Sequence, residues 1–202
     1  MGKYIFVNLV TLLSVFLGLI SIWILFGGNF YLSLGIATLA FCSDSLDGYL
    51  ARRWNAQTTF GAIFDSISDL VVYVIYPALV FYLFFGLSSL LGLALLALFV
   101  VAAIFRLIRF TVSGFTKENA NKYYIGIPVV FSHFLIIVAL LLSIFFGQQI
   151  ASILLSILIL VISFAMVSKI RVRKPLSVVL YGLLLYLISL SIVMIYLGLR
   201  LK

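Results

Sequence analysis

Long apolar runs broken by short polar punctuation set the pattern of this chain. The runs cover residues 5–26, 31–50, 61–85, 88–112, 124–146, 149–168 and 176–199. Each is close to the ~20 apolar residues that a helix needs to cross a bilayer. The punctuation is Gly27-Gly28-Asn29, Arg52-Arg53-Trp54-Asn55, Gly86-Leu87-Ser88, Gly147-Gln148-Gln149 and a basic run from Lys169 to Lys174. Only Ser113–Lys122 is a longer polar stretch. This pattern predicts an all-α integral membrane protein, a polytopic helical bundle of about seven transmembrane helices forming a single domain over 1–202, without an internal repeat. The first run is expected to be a retained span. It is long for the apolar region of a signal peptide and lacks a small-residue cleavage site before Asn29.

Composition fits this picture. The chain is 66% hydrophobic and 9% charged, with a mean hydropathy of +1.37. A soluble domain carries about 45–50% apolar and roughly 25% charged residues, so a soluble enzyme, a disordered chain and a disulfide scaffold are excluded. The single cysteine, Cys42, also excludes an internal disulfide. A net charge of +8 would point to nucleic acid in a soluble protein; in a membrane protein it reads as topology. With seven spans, Lys3, Arg52, Arg53, Arg106, Arg109, Lys117, Lys122, Lys169, Arg171, Arg173 and Lys174 share one side, leaving Arg200 and Lys202 on the other. The positive-inside rule places the first group in the cytoplasm. A multi-pass cell-membrane protein follows, with N-terminus, the turn near residue 52 and the 113–122 loop cytoplasmic, the C-terminus outside, and no nucleic-acid partner.

Acidic residues are scarce and clustered. Of five, Asp44, Asp47, Asp65 and Asp69 fall within 26 positions, and Glu118 stands apart in the polar loop. An aspartate at the centre of a membrane helix costs about 2.5–3.5 kcal/mol, so four would cost about 10–14 kcal/mol. They must lie near the interface, line a wet cavity, or bind something positive. At 100° per residue Asp44, Asp47, Gly48, Ala51 and Arg52 fall in an arc of about 140°, and Gly61, Asp65 and Asp69 in one of about 80°. The two helix ends are joined by a short basic turn, so two carboxylate pairs can face one another. Hard oxygen donors in this number suit Mg²⁺, Mn²⁺ or Ca²⁺. Arg52 adds a fork matched to phosphate, and the two glycines leave room for a ligand beside the backbone. Carboxylates, divalent metal and arginine are the equipment of phosphoryl transfer. Intramembrane acids also mark ion routes, so a small cation transporter is the competing class.

Written out, the stretch is Asp44-x2-Asp47-Gly48-x2-Ala51-Arg52-x8-Gly61-x3-Asp65-x3-Asp69. It resembles the signature of the CDP-alcohol phosphotransferase family, D-x2-D-G-x2-A-R-x8-G-x3-D-x3-D, at all eight fixed positions and every spacing. The resemblance implies a membrane enzyme with a six-helix core (here plus one helix), usually a homodimer, in which an alcohol displaces CMP from a CDP-linked donor such as CDP-diacylglycerol. It implies that Asp44, Asp47, Asp65 and Asp69 hold a two-metal site for Mg²⁺ or Mn²⁺. Asp69 is also the implied general base, and Gly48, Ala51, Arg52 and Gly61 the nucleotide pocket. Members joining phosphate to diacyl or to ether lipids are equally compatible.

Flanking residues bear on the acceptor. Thr59 to Asp69 resembles the phosphatidylserine synthase branch, T-x-F-G-a-x-L-D-S-l-a-D. Arg106-Leu107-Ile108-Arg109-Phe110, Tyr124-Ile125-Gly126-Ile127-Pro128 and Asn8-x2-Thr11 match further elements of that branch. Ser66 and Leu70 differ from the glycerol-phosphate type, and Leu70 from the inositol-phosphate type. Val72-Tyr73, Ile75-Tyr76 and Val129-Val130 depart from the serine pattern, and Tyr73–Pro77 is similar to bacterial phosphatidylcholine synthases. Serine is therefore the expected acceptor, with choline, glycerol phosphate or inositol phosphate as alternatives. Arg106 and Arg109, at i and i+3 on one helix face, either snorkel to lipid headgroups or bind an acceptor carboxylate or a lipid phosphate. His133 is expected as a helix-packing residue. Tyr123 and Tyr124 are expected at a membrane boundary, and Lys169–Lys174 at anionic lipid.

Overall fold

The computed structural model describes residues 2–56, 58–113, 116–118, 121–173 and 177–200, with backbone alone at 113, 116–118, 121–122, 173 and 177–186. Asn119, Lys174 and Lys202 lie outside the described residues, as do the side chains of Lys117, Glu118, Asn121, Lys122 and Arg173. The helices are α1 (Gly2–Phe26), α2 (Phe30–Arg53), α3 (Thr59–Leu70), α4 (Tyr76–Phe84), α5 (Leu90–Ser113), α6 (Phe131–Val167) and α7 (Ser177–Arg200). A π-helical turn, Val71–Ile75, joins α3 to α4. Three short strands, β1 (Thr116–Glu118), β2 (Asn121–Ile125) and β3 (Arg171–Arg173), complete the fold.

Chain contacts divide the molecule into two units, Met1–Val72 with Pro175–Lys202, and Tyr73–Lys174. In the first, α1 packs on α2 and α3, and α2 packs on α7. The buried stripe of α1 is Val7, Thr11, Ser14, Gly18, Ser21 and Leu25, while Phe16 is 60% and Trp23 77% exposed. Small and hydroxylated residues face the neighbouring helices and the large apolar ones face outward. That is the opposite of a soluble helix and the expected polarity for one packed in lipid. The buried hydroxyls meet carbonyls of their own helix: Ser14 Oγ lies 2.7 Å from Thr11 O, and Ser21 Oγ donates to Gly18 O at 2.7 Å. Close approach of α7 to α2 rests on two glycines. A Cβ at Gly35 would lie 2.6 Å from the Ile195 side chain, and one at Gly198 2.4 Å from Leu32 N. Ser191 Oγ donates to Gly35 O, and Asn29 Nδ2 to Gly198 O.

In the second unit α5 packs on α6, and α4 on both. Pro77, in the first turn of α4, brings no N–H to the carbonyl of Tyr73 four residues back. The Ser132 hydroxyl donates to that carbonyl instead. Helix α6 breaks at Gly147, whose φ of 78° and ψ of 163° are non-helical. Unbroken, its 37 residues would run to about 55 Å, well beyond the ~30 Å hydrocarbon core. The break coincides with the connection expected at Gly147-Gln148-Gln149, and Gln148 Nε2 ties it to Phe84 O at 2.7 Å.

The protein is membrane-embedded and almost wholly helical. Four helical stretches, Gly2–Phe26, Thr59–Phe84, Leu90–Val112 and Phe131–Val167, are long and apolar enough to cross a bilayer by length and composition. Large apolar side chains such as Leu90 and Leu91 (84% exposed) cover their outer faces, a surface that water does not tolerate over such an area.

Two expectations need correction. The stretch expected as a polar loop contributes strands. β1 pairs antiparallel with β2, and β2 with β3, Tyr123 opposite Arg173 and Ile125 opposite Arg171. Helix α6 therefore begins at Phe131 and not at 124. Residues 121–125 extend because 121–123 pair with β1 and 123–125 with β3, and Gly126 at φ 77° with Pro128 keeps the chain non-helical beyond them.

Candidate active site

The first unit carries the acidic constellation. Asp44 and Asp47 lie in the last turns of α2, and Asp65 and Asp69 in α3. The connection between them is tight. Trp54 N donates to Leu50 O and Ala56 N to Ala51 O, both at 2.9 Å, and Asn55 takes a left-handed φ of 50°. The Thr58 hydroxyl then caps α3 by accepting from Gly61 N at 2.9 Å. This short, capped reversal sets the end of α2 beside the start of α3.

Asp44, Asp47 and Asp65 each offer a carboxylate oxygen, and the three oxygens lie within 4.8 Å of one another. Asp47 is 3% exposed, and its Oδ2 is buried with no hydrogen-bond partner. Three carboxylates at this distance repel one another, and a buried unpaired oxygen is costly. A divalent cation resolves both. Oxygens on opposite sides of an octahedral Mg²⁺ lie about 4 Å apart, so a small contraction of the cluster would hold one. The donor set therefore fits a hard divalent metal. Asp69 lies one turn beyond Asp65 on α3 and is not among the three whose oxygens come within 4.8 Å of one another.

The remaining signature residues surround this cluster. Arg52 is exposed and acts electrostatically on both Asp47 and Asp65. A Cβ at Gly48 would stand 3.3 Å from Arg52 Nη1, so this glycine gives the guanidinium its place along the helix. At Gly61 a Cβ would meet Thr58 Oγ1 at 3.0 Å and Asn8 Oδ1 at 3.5 Å, crowding the cap of α3. Ala51 is half-buried. Two residues that the sequence did not single out touch the site. Ser68 Oγ donates to Asp44 Oδ1 at 3.1 Å, and Ser14 Oγ lies 2.6 Å from Ser68 Oγ. A polar residue at Asp65 i+3, directed into a bundle, was the available signal.

Arg106 and Arg109 belong to the second unit. Arg106 is 4% exposed, its guanidinium 5.0 Å from the Phe110 ring centroid and 5.9 Å from that of Tyr124. Arg109 donates to three main-chain carbonyls, Ile125 at 2.7 Å, Met166 at 2.8 Å and Val167 at 2.9 Å. It thus closes the C-terminal end of α6, whose last carbonyls lack helical partners, against the end of β2. His133 is fully buried within α6.

A family model described as CDP-alcohol phosphatidyltransferase matches residues 4–199. The chain is 35% identical over 141 residues to a CDP-diacylglycerol–serine O-phosphatidyltransferase of Helicobacter pylori strain J99, covering 69% of this chain and 59% of that protein. It is 34% identical over 166 residues to the protein of the same name from Methanocaldococcus jannaschii, covering 82% of this chain and 72% of the relative. A Saccharomyces cerevisiae protein of that name matches at 32% over 106 residues, 50% of this chain and 36% of the relative. The chain thus spans about three fifths of the Helicobacter relative and over two thirds of the archaeal one. The match over nearly the whole length and the carboxylate cluster at the signature positions agree: the chain belongs to the CDP-alcohol phosphatidyltransferase family.

Proposed function

We propose that this protein transfers the phosphatidyl group of a CDP-linked lipid, CDP-diacylglycerol or its ether-lipid counterpart, to the hydroxyl of a small alcohol, L-serine, with release of CMP. The observation that carries the reading is the Asp44–Asp47–Asp65 cluster with its unpartnered buried Asp47 oxygen, set on the family's motif within a matching chain. Serine rests on the names of the relatives and on the Thr59–Asp69 flank.

Asp44, Asp47 and Asp65 would hold the divalent metal, with Asp69 completing a two-metal site for Mg²⁺ or Mn²⁺. Bound there, the metal supplies charge neutralisation for the diphosphate and the leaving CMP. Arg52 pairs with a donor phosphate oxygen; Gly48, Ala51 and Gly61 keep the approach to the backbone open for the nucleotide. The acceptor oxygen attacks the lipid-bearing phosphorus. The new P–O bond forms as the bond to the bridging oxygen breaks, and that oxygen leaves with CMP. Asp69 takes the acceptor's proton late, as the new bond forms, because a carboxylate is a weak base for an alcohol. No side-chain nucleophile is used. The enzyme is a homodimer, with N-terminus and active site on the cytoplasmic side where eleven of the thirteen cations are expected.

Purified protein supplied with CDP-diacylglycerol and, separately, serine, choline, glycerol phosphate or inositol phosphate tests this, with the lipid product identified by mass. Phosphatidylserine from serine alone is the expected result. Product from choline and none from serine would overturn the acceptor. Cation flux across liposomes with no nucleotide-lipid turnover would overturn the chemistry in favour of transport.

A further inference from the structure

Two serines outside the family motif meet the carboxylate cluster from two different helices. Ser68 on α3 and Ser14 on α1 are both fully buried. Their hydroxyl oxygens are 2.6 Å apart, Ser68 Oγ reaches Asp44 Oδ1 at 3.1 Å, and Ser14 Oγ reaches the Thr11 carbonyl at 2.7 Å. We propose that Ser14 and Ser68 form a two-hydroxyl relay that fixes the orientation of the Asp44 carboxylate, making both serines positioning residues for the metal centre. The proposal rests on the metal-binding reading of Asp44, Asp47 and Asp65.

Counting protons gives the relay its direction. Two hydroxyl protons face three contacts: the Thr11 carbonyl, the oxygen–oxygen contact between the serines, and Asp44 Oδ1. A contact of 2.6 Å between hydroxyl oxygens must hold a proton. If Ser68 fills it by donating to Ser14, Asp44 receives none. If Ser14 fills it, Ser68 is free to donate to Asp44. A carboxylate is the stronger acceptor, and a hydrogen bond to it is roughly twice as strong as one between neutral groups. Its charge therefore selects the order Ser14 to Ser68 to Asp44, each bond polarising the next; in that order Ser14 gives its one proton to Ser68 and leaves the Thr11 carbonyl to the helix's own N–H. The hydrogen bond from Ser68 then sets the plane of the Asp44 carboxylate. The relay also ties α1 and α3 to a residue of α2, so all three helices of the site share in holding one ligand.

The test is Mn²⁺ binding by the purified full-length protein, followed by the loss of the free-ion electron paramagnetic resonance signal, for wild type, Ser68→Ala, Ser14→Ala and the double variant. Partners of metal ligands typically contribute 10–100-fold in affinity. Ser68→Ala is expected to weaken Mn²⁺ binding about tenfold or more, and Ser14→Ala roughly threefold, acting only by polarising Ser68. The double variant is expected to match Ser68→Ala within about twofold, since without Ser68 the other hydroxyl no longer reaches Asp44. Ser68→Ala with wild-type affinity, or losses that multiply in the double variant, would overturn the relay while leaving the metal site standing. A wild type without saturable Mn²⁺ binding would overturn the metal reading itself. If Ser68→Ala does not fold, Ser14→Ala decides, and wild-type affinity in that variant contradicts the relay.

Discussion

Asp47 illustrates how one side chain can be costly for folding and valuable for binding. Its Oδ2 is buried without a hydrogen-bond partner, and a cation reaching it would offset that cost. In EDTA, Asp47→Asn is therefore expected to melt no lower than wild type, because a neutral amide replaces a charge that burial disfavours. In Mn²⁺ the order reverses: wild type gains stability by mass action and the variant does not. Thermal melts in detergent with and without Mn²⁺ check this, and an equal Mn²⁺-induced shift in both proteins would remove Asp47 from the site. Asp69 lies outside the three-carboxylate cluster, so its removal should act differently. Asp69→Asn is expected to remain folded, to keep Mn²⁺ binding within a few-fold, and to lose about 10²–10⁴ in CMP release, the range of a general base. Substantial turnover by that variant would assign the proton to another group. The 3.6-residue period placed Asp65 and Asp69 on one face, but it does not say how far along that face a partner helix reaches. Spacing made the four aspartates legible as candidates; that the oxygens of Asp44, Asp47 and Asp65 come within 4.8 Å of one another was not legible.

Among the elements, the end of α6 shows one side chain serving several carbonyls. Arg109 binds three carbonyls there, and Gly126 makes room for it. A Cβ at Gly126 would fall 2.3 Å from Met166 O and 2.4 Å from Arg109 Nη2, at a φ of 77°. Gly126→Ala is therefore expected to destabilise the protein by about 2–4 kcal/mol through strain and displacement of the arginine. Arg109→Lys should cost about 2 kcal/mol, since an ammonium cannot reproduce the fork. Both are read by melting temperature in detergent, and a Gly126→Ala protein as stable as wild type would contradict the clamp. The sequence offered two roles for Arg109, lipid contact or acceptor binding. Its carbonyl partners lie 16, 57 and 58 positions away, and no local pattern announces such contacts. The three-stranded sheet was hidden for the same reason: β2 reads as an ordinary polar border until paired with β3, across the whole of α6. Helical segments were legible because they follow continuous apolar runs, and the Gly147 break because glycine stands beside two glutamines; the π-helical turn that divides the 61–85 run into α3 and α4 left no such mark.

At the scale of the whole molecule the governing fact is polarity turned inside out. Hydroxyls and glycines line the contacts of α1, α2 and α7, and large apolar side chains face outward. The same economy explains why so few acids are present and why those few are clustered: lipid excludes charge except where it is put to use. The cationic bias predicts the orientation. A membrane-impermeant thiol reagent applied to intact cells should fail to label cysteine introduced at Lys3 or Arg53, and label those sites once cells are opened; labelling of intact cells would invert the topology. The central claim, a metal-dependent transfer from a CDP-linked lipid at the aspartate cluster, is tested most directly by CMP release. Purified protein in detergent is given CDP-diacylglycerol and serine, treated with EDTA, and then resupplied with Mn²⁺. CMP release that requires serine, stops with EDTA and returns with Mn²⁺ is the predicted result. CMP release undiminished by EDTA, or none under any of these conditions, would contradict the account.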